Sequence, residues 1–242
     1  MNMPNPGNPT PLTESQTAPH LPWQPEALGL LVAMVALAAW DASGLDMPLA
    51  QWFGNAQGFP LRDHPWLAEG LHEGVRKAGW VLLLGLTASI WWPVGWLTRF
   101  QRTERAWMVG TIWLSLVVVV LLKGISRTSC PWDLAAFGGT AQHVSHWLWW
   151  VSDGGPGRCF PGGHVSTAFA FLPVAWWLRT VDPVAARRWT LVVVLFGLLL
   201  SAVQQARGAH FLSHNLWTGW LCWVTTWAMH RLSLRQRHGT NT

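Results

Sequence analysis

The sequence predicts an all-α, polytopic membrane protein, a bundle of six transmembrane helices. Half of the 242 residues are hydrophobic and only 11% are charged, against about 25% charged in soluble domains. The charges are kept out of six apolar runs, at 27–40, 78–97, 106–122, 165–178, 189–203 and 215–229. There are 21 tryptophans, and indoles favour the membrane interface. A large soluble protein with buried helices is the alternative that these observations disfavour.

Several runs are shorter than the roughly 20 residues of an average span, and each is read as extending by a turn into polar flanks. Orientation follows from basic residues in short loops. Arg99, Arg102 and Arg105 join the second and third runs, Arg179, Arg187 and Arg188 join the fourth and fifth, and Arg231, Arg235 and Arg237 follow the sixth. With six spans all three groups share one side, which is predicted to be cytoplasmic. Residues 1–24 are rich in Pro, Asn and Thr without Lys or Arg, so they read as a disordered cytoplasmic segment rather than a cleavable signal. The membrane domain is expected at 25–231 and a basic cytoplasmic tail at 232–242. The formal charge of +5 is thereby a topology signal and gives no reason for a nucleic-acid partner.

The other side carries 41–77, 123–163 and a short turn at Arg207. Residues 64–77 have an amphipathic pattern suited to lying along the interface. Chemistry is concentrated on this side. Cys159-Phe160-Pro161-Gly162-Gly163-His164 opens the fourth run: a glycine turn leaves backbone amides free for an anion, and His164 carries a proton near neutral pH. Lys123 and Arg127, four apart, end the third run. Arg207, His210 and His214 are spaced three and four apart after the fifth. Ionisable groups at membrane depth are costly and usually functional. Cations neutralise a phosphate and the charge that develops as it is transferred, while one histidine attacks and another protonates the leaving oxygen. Carboxylates are scarce and no compact Cys/His spacing appears, so neither a metal nor a cofactor is expected. His143 and His146 read as loop or interface residues, and Trp132, Trp147, Trp149 and Trp150 as interface anchors or the lining of a path for acyl chains.

In order and surroundings these segments resemble the type 2 phosphatidic-acid phosphatase superfamily, six-helix membrane lipid phosphatases with three motifs. Lys123 and Pro131 match the first motif, with Cys130 where the family has arginine. Pro161, Gly163 and His164 match the second, with Gly162 in place of serine. Gly208-Ala209-His210-Phe211-Leu212-Ser213 matches the surroundings of the nucleophilic histidine in the third. Two arginines are displaced by about a turn, to Arg127 and Arg207, and the family aspartate falls at His214. The resemblance implies metal-independent hydrolysis of a lipid phosphomonoester or diphosphate through a phosphohistidine. His210 is the implied nucleophile and His164 the acid. Lys123, Arg127, Arg207 and the amides of Gly162 and Gly163 are implied to bind phosphate. His214 orients His210, with Asn215, Asp133 and Asp153 as other candidates; a second register makes His214 the nucleophile. Cys130 and Cys159, both on the outer side and each beside a motif, are expected to form a disulfide in an oxidising compartment. Cys222 is read as packing. The partners expected are a lipid phosphate and the bilayer, at the inner membrane, with the site facing the periplasm or exterior. Phosphate transfer to another acceptor, a transporter and a non-catalytic anion-binding membrane protein remain alternatives; the oligomeric state is open.

Overall fold

A computed structural model describes residues 24–239; the expected disordered segment lies almost wholly outside them. The described chain is helical, with two isolated bridges and no strands. Helix α1 (Gln24–Ser43) is followed by the short α2 (Asp46–Gln51). A nine-residue π-helical stretch (Trp66–Gly74) runs directly into α3 (Val75–Ala88), so the amphipathic segment and the second apolar run form one rod. That rod stops at Ala88 rather than at 97. The chain turns instead, and buried Arg105 holds the turn by donating to the carbonyls of Ile90 (3.2 Å), Leu97 (3.4 Å) and Phe100.

Helix α4 (Arg102–Ile125) begins with a capping box in which Glu104 accepts from the Gln101 amide at 2.8 Å, satisfying donors that a helix start leaves orphaned. The fourth run does not make one long helix. It gives α5 (Ser166–Phe169) and, after a break, α6 (Leu172–Leu178), with Pro173 at the first turn of α6. Proline fits the start of a helix and not its interior, because it lacks an N–H. Helix α7 (Pro183–Ala206) has the same device: Asp182 accepts from Ala185 N at 2.9 Å, and Pro183 follows it. Helix α8 (Leu212–Gly239) carries the last apolar run and continues through most of the expected tail.

Three described helices are long and apolar enough to cross a membrane: Pro25–Ser43, Arg102–Ile125 and Pro183–Ala206. At 1.5 Å per residue, the latter two exceed the roughly 30 Å of a hydrocarbon core. Their outward faces stay apolar, with Val32, Val120 and Val192 each about 60% exposed or more. So large an uncovered apolar surface is what lipid contact requires.

Helix α8 is the centre of the bundle, packed against α1, α4, α5, α6 and α7. Met108 and Ile112 of α4 meet Phe169, Trp176 and Cys222 in the main core. The two ends differ chemically. At one, Glu26 of α1 pairs with Arg179 (2.8 Å) and Arg231 (3.4 Å). At the other, α1, α4, α7 and α8 bring together the polar groups described next.

Close packing at mid-bundle depends on Gly197 of α7, where an added Cβ would overlap the ring of buried Phe169. Overpacking a filled core costs about 1–3 kcal/mol. Gly197→Val should therefore lower the melting temperature of the detergent-solubilised protein by several degrees. An unchanged melting temperature would contradict this packing.

Candidate active site

The turn from α7 to α8 and the loops after α4 and before α5 build this end of the molecule. Gly208, at φ +70°, occupies the left-handed region that glycine tolerates, and its carbonyl accepts from Trp132 N at 2.9 Å. His210 then enters the interior, 3% exposed.

The Cys130 and Cys159 sulfurs are bonded, tying the loop after α4 to the Pro161–His164 turn. Cys159 Sγ lies 3.3 Å from His210 Nδ1 and 3.2 Å from Ala209 O. With Nδ1 against sulfur, the free lone pair of a neutral His210 falls on Nε2. Burial is the main reason that His210 is held well below the ordinary imidazole range, and the charges of Lys123, His214 and His164 act in the same direction. His210 is thus a neutral imidazole with cationic and histidine neighbours. The two sulfurs and His210 lie within 4.8 Å of one another. Sulfurs spent on each other offer no thiolate, and the trio does not read as a metal centre.

Lys123 ends α4 with its aliphatic stem against Gly163, which brings it to the glycine turn. The turn departs from the expected anion cradle. The Gly162 amide donates to His214 O at 3.0 Å, and Gly162 O accepts from Thr218 Oγ1 at 2.9 Å. Gly162 is therefore fastened to α8, and of the two glycine amides it is that of Gly163 that makes no backbone hydrogen bond among the described residues. Position 162 also has no room for a side chain: a Cβ would overlap Oδ1 of fully buried Asn215.

Neither Arg127 nor Arg207 is among the charges that act on His210. Arg127 is exposed, 3.5 Å from Trp150 O, and shares an open cleft of about 520 Å³ with Arg158. Arg207 is buried and donates from Nε to Arg62 O at 2.9 Å, with Asp63 as its favourable charge partner. Asp153 accepts from the Ser129 amide and hydroxyl and from Gly155 N, and Asp133 caps Cys130 N at 3.3 Å. Both carboxylates hold loops in place.

Residues 105–238, more than half the chain, match the model of the PAP2 superfamily. The chain belongs to that superfamily. Its members are phosphatases acting on phosphate esters, generally of lipids. No curated protein and no solved structure matches the chain. As a PAP2 protein it brings residues of all three motifs together through Lys123, His164 and His210, and it also joins the first motif to the second through the disulfide.

Three contributors were not legible as such in the sequence. Asp41, Asp46 and His146 come from the end of α1, the start of α2 and the long outer loop. Asp41 Oδ2 accepts from Trp147 Nε1 (2.9 Å) and Trp217 Nε1 (2.8 Å), with His146 Nε2 at 3.3 Å. Trp147 thus donates a hydrogen bond to Asp41 while part of its ring stays exposed. Asp46 accepts from Trp40 Nε1 (2.9 Å), Ser213 N (3.2 Å) and Ser213 Oγ, fixing the start of α8. One signal was available: Asp41 is the first charge after a run ending in Trp40.

Restoring the serine of the PAP2 second motif here should do harm. Gly162→Ser meets Asn215 and should cost about 1–3 kcal/mol, with phosphate release falling tenfold or more. Gly162→Ser combined with Asn215→Ala should recover part of both. A single variant as stable and active as the parent would refute the clash; thermal unfolding and phosphate release provide the check.

Proposed function

We propose that this chain is a membrane lipid-phosphate phosphatase that hydrolyses a phosphomonoester or diphosphate through a phosphohistidine on His210, without a metal. The observation that carries this reading is the setting of His210: buried, neutral, with Nδ1 against Cys159 Sγ and with Lys123 and His164 as neighbours. Burial removes water that would compete with it, and Nδ1 engagement orients the ring as the third group does in other His-based sites.

His210 Nε2 attacks phosphorus, and the P–O bond to the lipid breaks. His164 gives its proton to the departing oxygen. It then takes a proton from water, whose hydroxide attacks the phosphohistidine; the N–P bond breaks and phosphate leaves. Lys123 and the Gly163 amide offset charge on the phosphoryl oxygens. Arg127, on its open cleft, is assigned to meeting the anion as it arrives. Arg207 is assigned to holding the 59–64 turn against the site.

The lipid part of the reading rests on an apolar cavity of about 600 Å³ between α1, α6, α7 and α8, lined by Leu37, Trp40, Phe169, Leu216 and Trp220. Its Trp40–Leu216 end lies next in sequence to Asp41 and close to His214. A six-span topology in the inner membrane is supported by the rod at 66–88, the length of α8, and the separation of the Glu26–Arg179–Arg231 end from the His210 end. The three basic groups put the first end in the cytoplasm and His210 at the periplasmic or outer face.

Phosphate release from a panel of lipid phosphates, with purified protein in chelator, tests the reading. His210→Ala should abolish release and leave the protein folded; near-normal activity in the variant would reject His210. The pH dependence has a definite sign. Depression of His210 keeps it unprotonated well into acid, so the acid limb of kcat/KM due to the nucleophile should fall below about pH 6.5. The unfolded chain takes up that proton near 6.5 and the folded chain does not, so stability is present above this pH and lost as pH falls.

A further inference from the structure

A nucleophilic imidazole gains positive charge when it attacks phosphorus, and this one does so in a buried site that already holds Lys123. Such a charge is disfavoured unless a carboxylate compensates it, and in histidine-based sites a carboxylate also holds the ring in place. Position 214 supplies no carboxylate. The carboxylates that share a cavity with His214 lie outside the family-matched stretch, in the first helices.

A row of rings leads to one of them. His214 is 1% exposed and 6.1 Å from His210 between ring centroids. His146 stands edge-on to His214 at 5.2 Å and lies flat on Phe160 at 4.0 Å, which fixes its plane. His146 Nε2 is 3.3 Å from Asp41 Oδ2, with both side chains under a tenth exposed. Asp41, Asp46, His143, His146 and His214 line one polar cavity of about 60 Å³. Asp41 Oδ1, His146 Nε2 and His214 Nδ1 are buried and have no hydrogen-bond partner among the described residues, so the Asp41–His146 approach is a close charge contact. The volume has room for about two waters at roughly 30 Å³ each, enough to connect these atoms. Asp46 is already committed to Trp40 and Ser213. Asp41 Oδ1 is the uncommitted carboxylate oxygen.

We propose that Asp41 is the positioning carboxylate of the active site, acting on His210 through His146 and His214. It rests on the reading of His210 as nucleophile. Two indole donors and the end of α1 hold Asp41 rigid. The Asp41 carboxylate stands 3.3 Å from His146, His146 packs edge-on against His214, and His214 packs against His210, so the carboxylate acts on His210 through a row of packed rings. No proton need pass along the row: its negative end offsets the charge that develops on His210. The other groups facing this cavity are His143, whose pKa burial lowers, and Asp46. Lys123 faces the row from α4.

The test is Asp41→Asn in the full chain. Asparagine still accepts from Trp147 and Trp217, so the variant should fold. With phosphate release as the readout, kcat should fall tenfold or more while KM stays within about twofold. Loss of the carboxylate disfavours the charged form of His210 further, so the acid limb of kcat should move to lower pH. Asp41→Glu should restore part of kcat. Affinity for inorganic vanadate, which mimics the phosphoryl group in transfer, should weaken in parallel. A kcat within twofold of the parent overturns the proposal, as does a fall in kcat with an unmoved acid limb, which marks a structural role. Stoichiometric zinc bound by the parent and lost in Asp41→Asn also overturns it, by making the cluster a metal site. If His210→Ala remains active, the nucleophile reading has failed and Asp41 falls with it. If His210→Ala is dead and Asp41→Asn is normal, only the role of Asp41 is wrong. A parent that neither releases phosphate nor binds vanadate rejects both.

Discussion

The contact between Cys159 Sγ and His210 Nδ1 is the point on which the outer end of the molecule depends. Three distant segments meet there. The disulfide brings the loop after α4, the backbone of Cys159 leads into the Pro161–His164 turn, and Ala209 and His210 arrive from the end of α7. A sulfur already bonded to its partner has no proton to give, so an adjacent imidazole nitrogen is engaged only as a donor. That constraint selects the tautomer with Nε2 free. It also excludes water from one side of the ring, and burial then does the rest by disfavouring the charged form. The cross-link thereby helps to position His210 and favours one tautomer, while burial and the neighbouring charges keep the ring neutral.

The lower half of the bundle serves the same end by a different physics. Around α8 the contacts are mostly apolar and close, and a buried hydroxyl such as that of Thr226 is satisfied within the helix by the carbonyl of Cys222. The outer half reverses this: Asp41, Asp46, Asp153 and Asp133 are each committed to named amide, indole, hydroxyl or imidazole donors. In a chain with 11 acidic residues, four carboxylates spent on one set of loops is a large share. Buried charge is tolerated only when so paired, and the pairing makes these loops rigid. A rigid outer layer on an apolar bundle is what a site must have if it is to meet a headgroup while the chains stay in lipid.

Much of this was legible beforehand because local composition carries it. The apolar runs at 106–122 and 189–203 sit inside α4 and α7, since nothing in them competes with a helix. Proximity of Lys123, His164 and His210 followed from motif order. The second and fourth runs were misjudged in extent for reasons that are tertiary. Arg105, distant in sequence from Ile90, draws three carbonyls to itself and ends α3 early. The break at Phe171 is stabilised by Trp189, which donates to its carbonyl from α7 at 3.0 Å. The histidines of the outer loop were unreadable for a similar reason. His146 becomes interior only because Asp41 and Phe160, 105 and 14 residues away in sequence, pack on either side of it.

The departures from the family pattern are one change rather than three. Cys130 stands where an arginine is usual, and it is consumed in the bond that places His210. With His214 in the usual aspartate position, the carbonyl of that residue accepts the Gly162 amide, so α8 and the glycine turn are drawn close. At that separation Asn215 fills the space a side chain at 162 would need, and only glycine remains possible. The turn is then held by Thr218 and His214 instead of by a serine of its own. A side chain restored at 162 meets Asn215, and an arginine restored at 130 leaves Cys159 without its bonded partner, so the glycine turn and the disulfide go with the residues now around them.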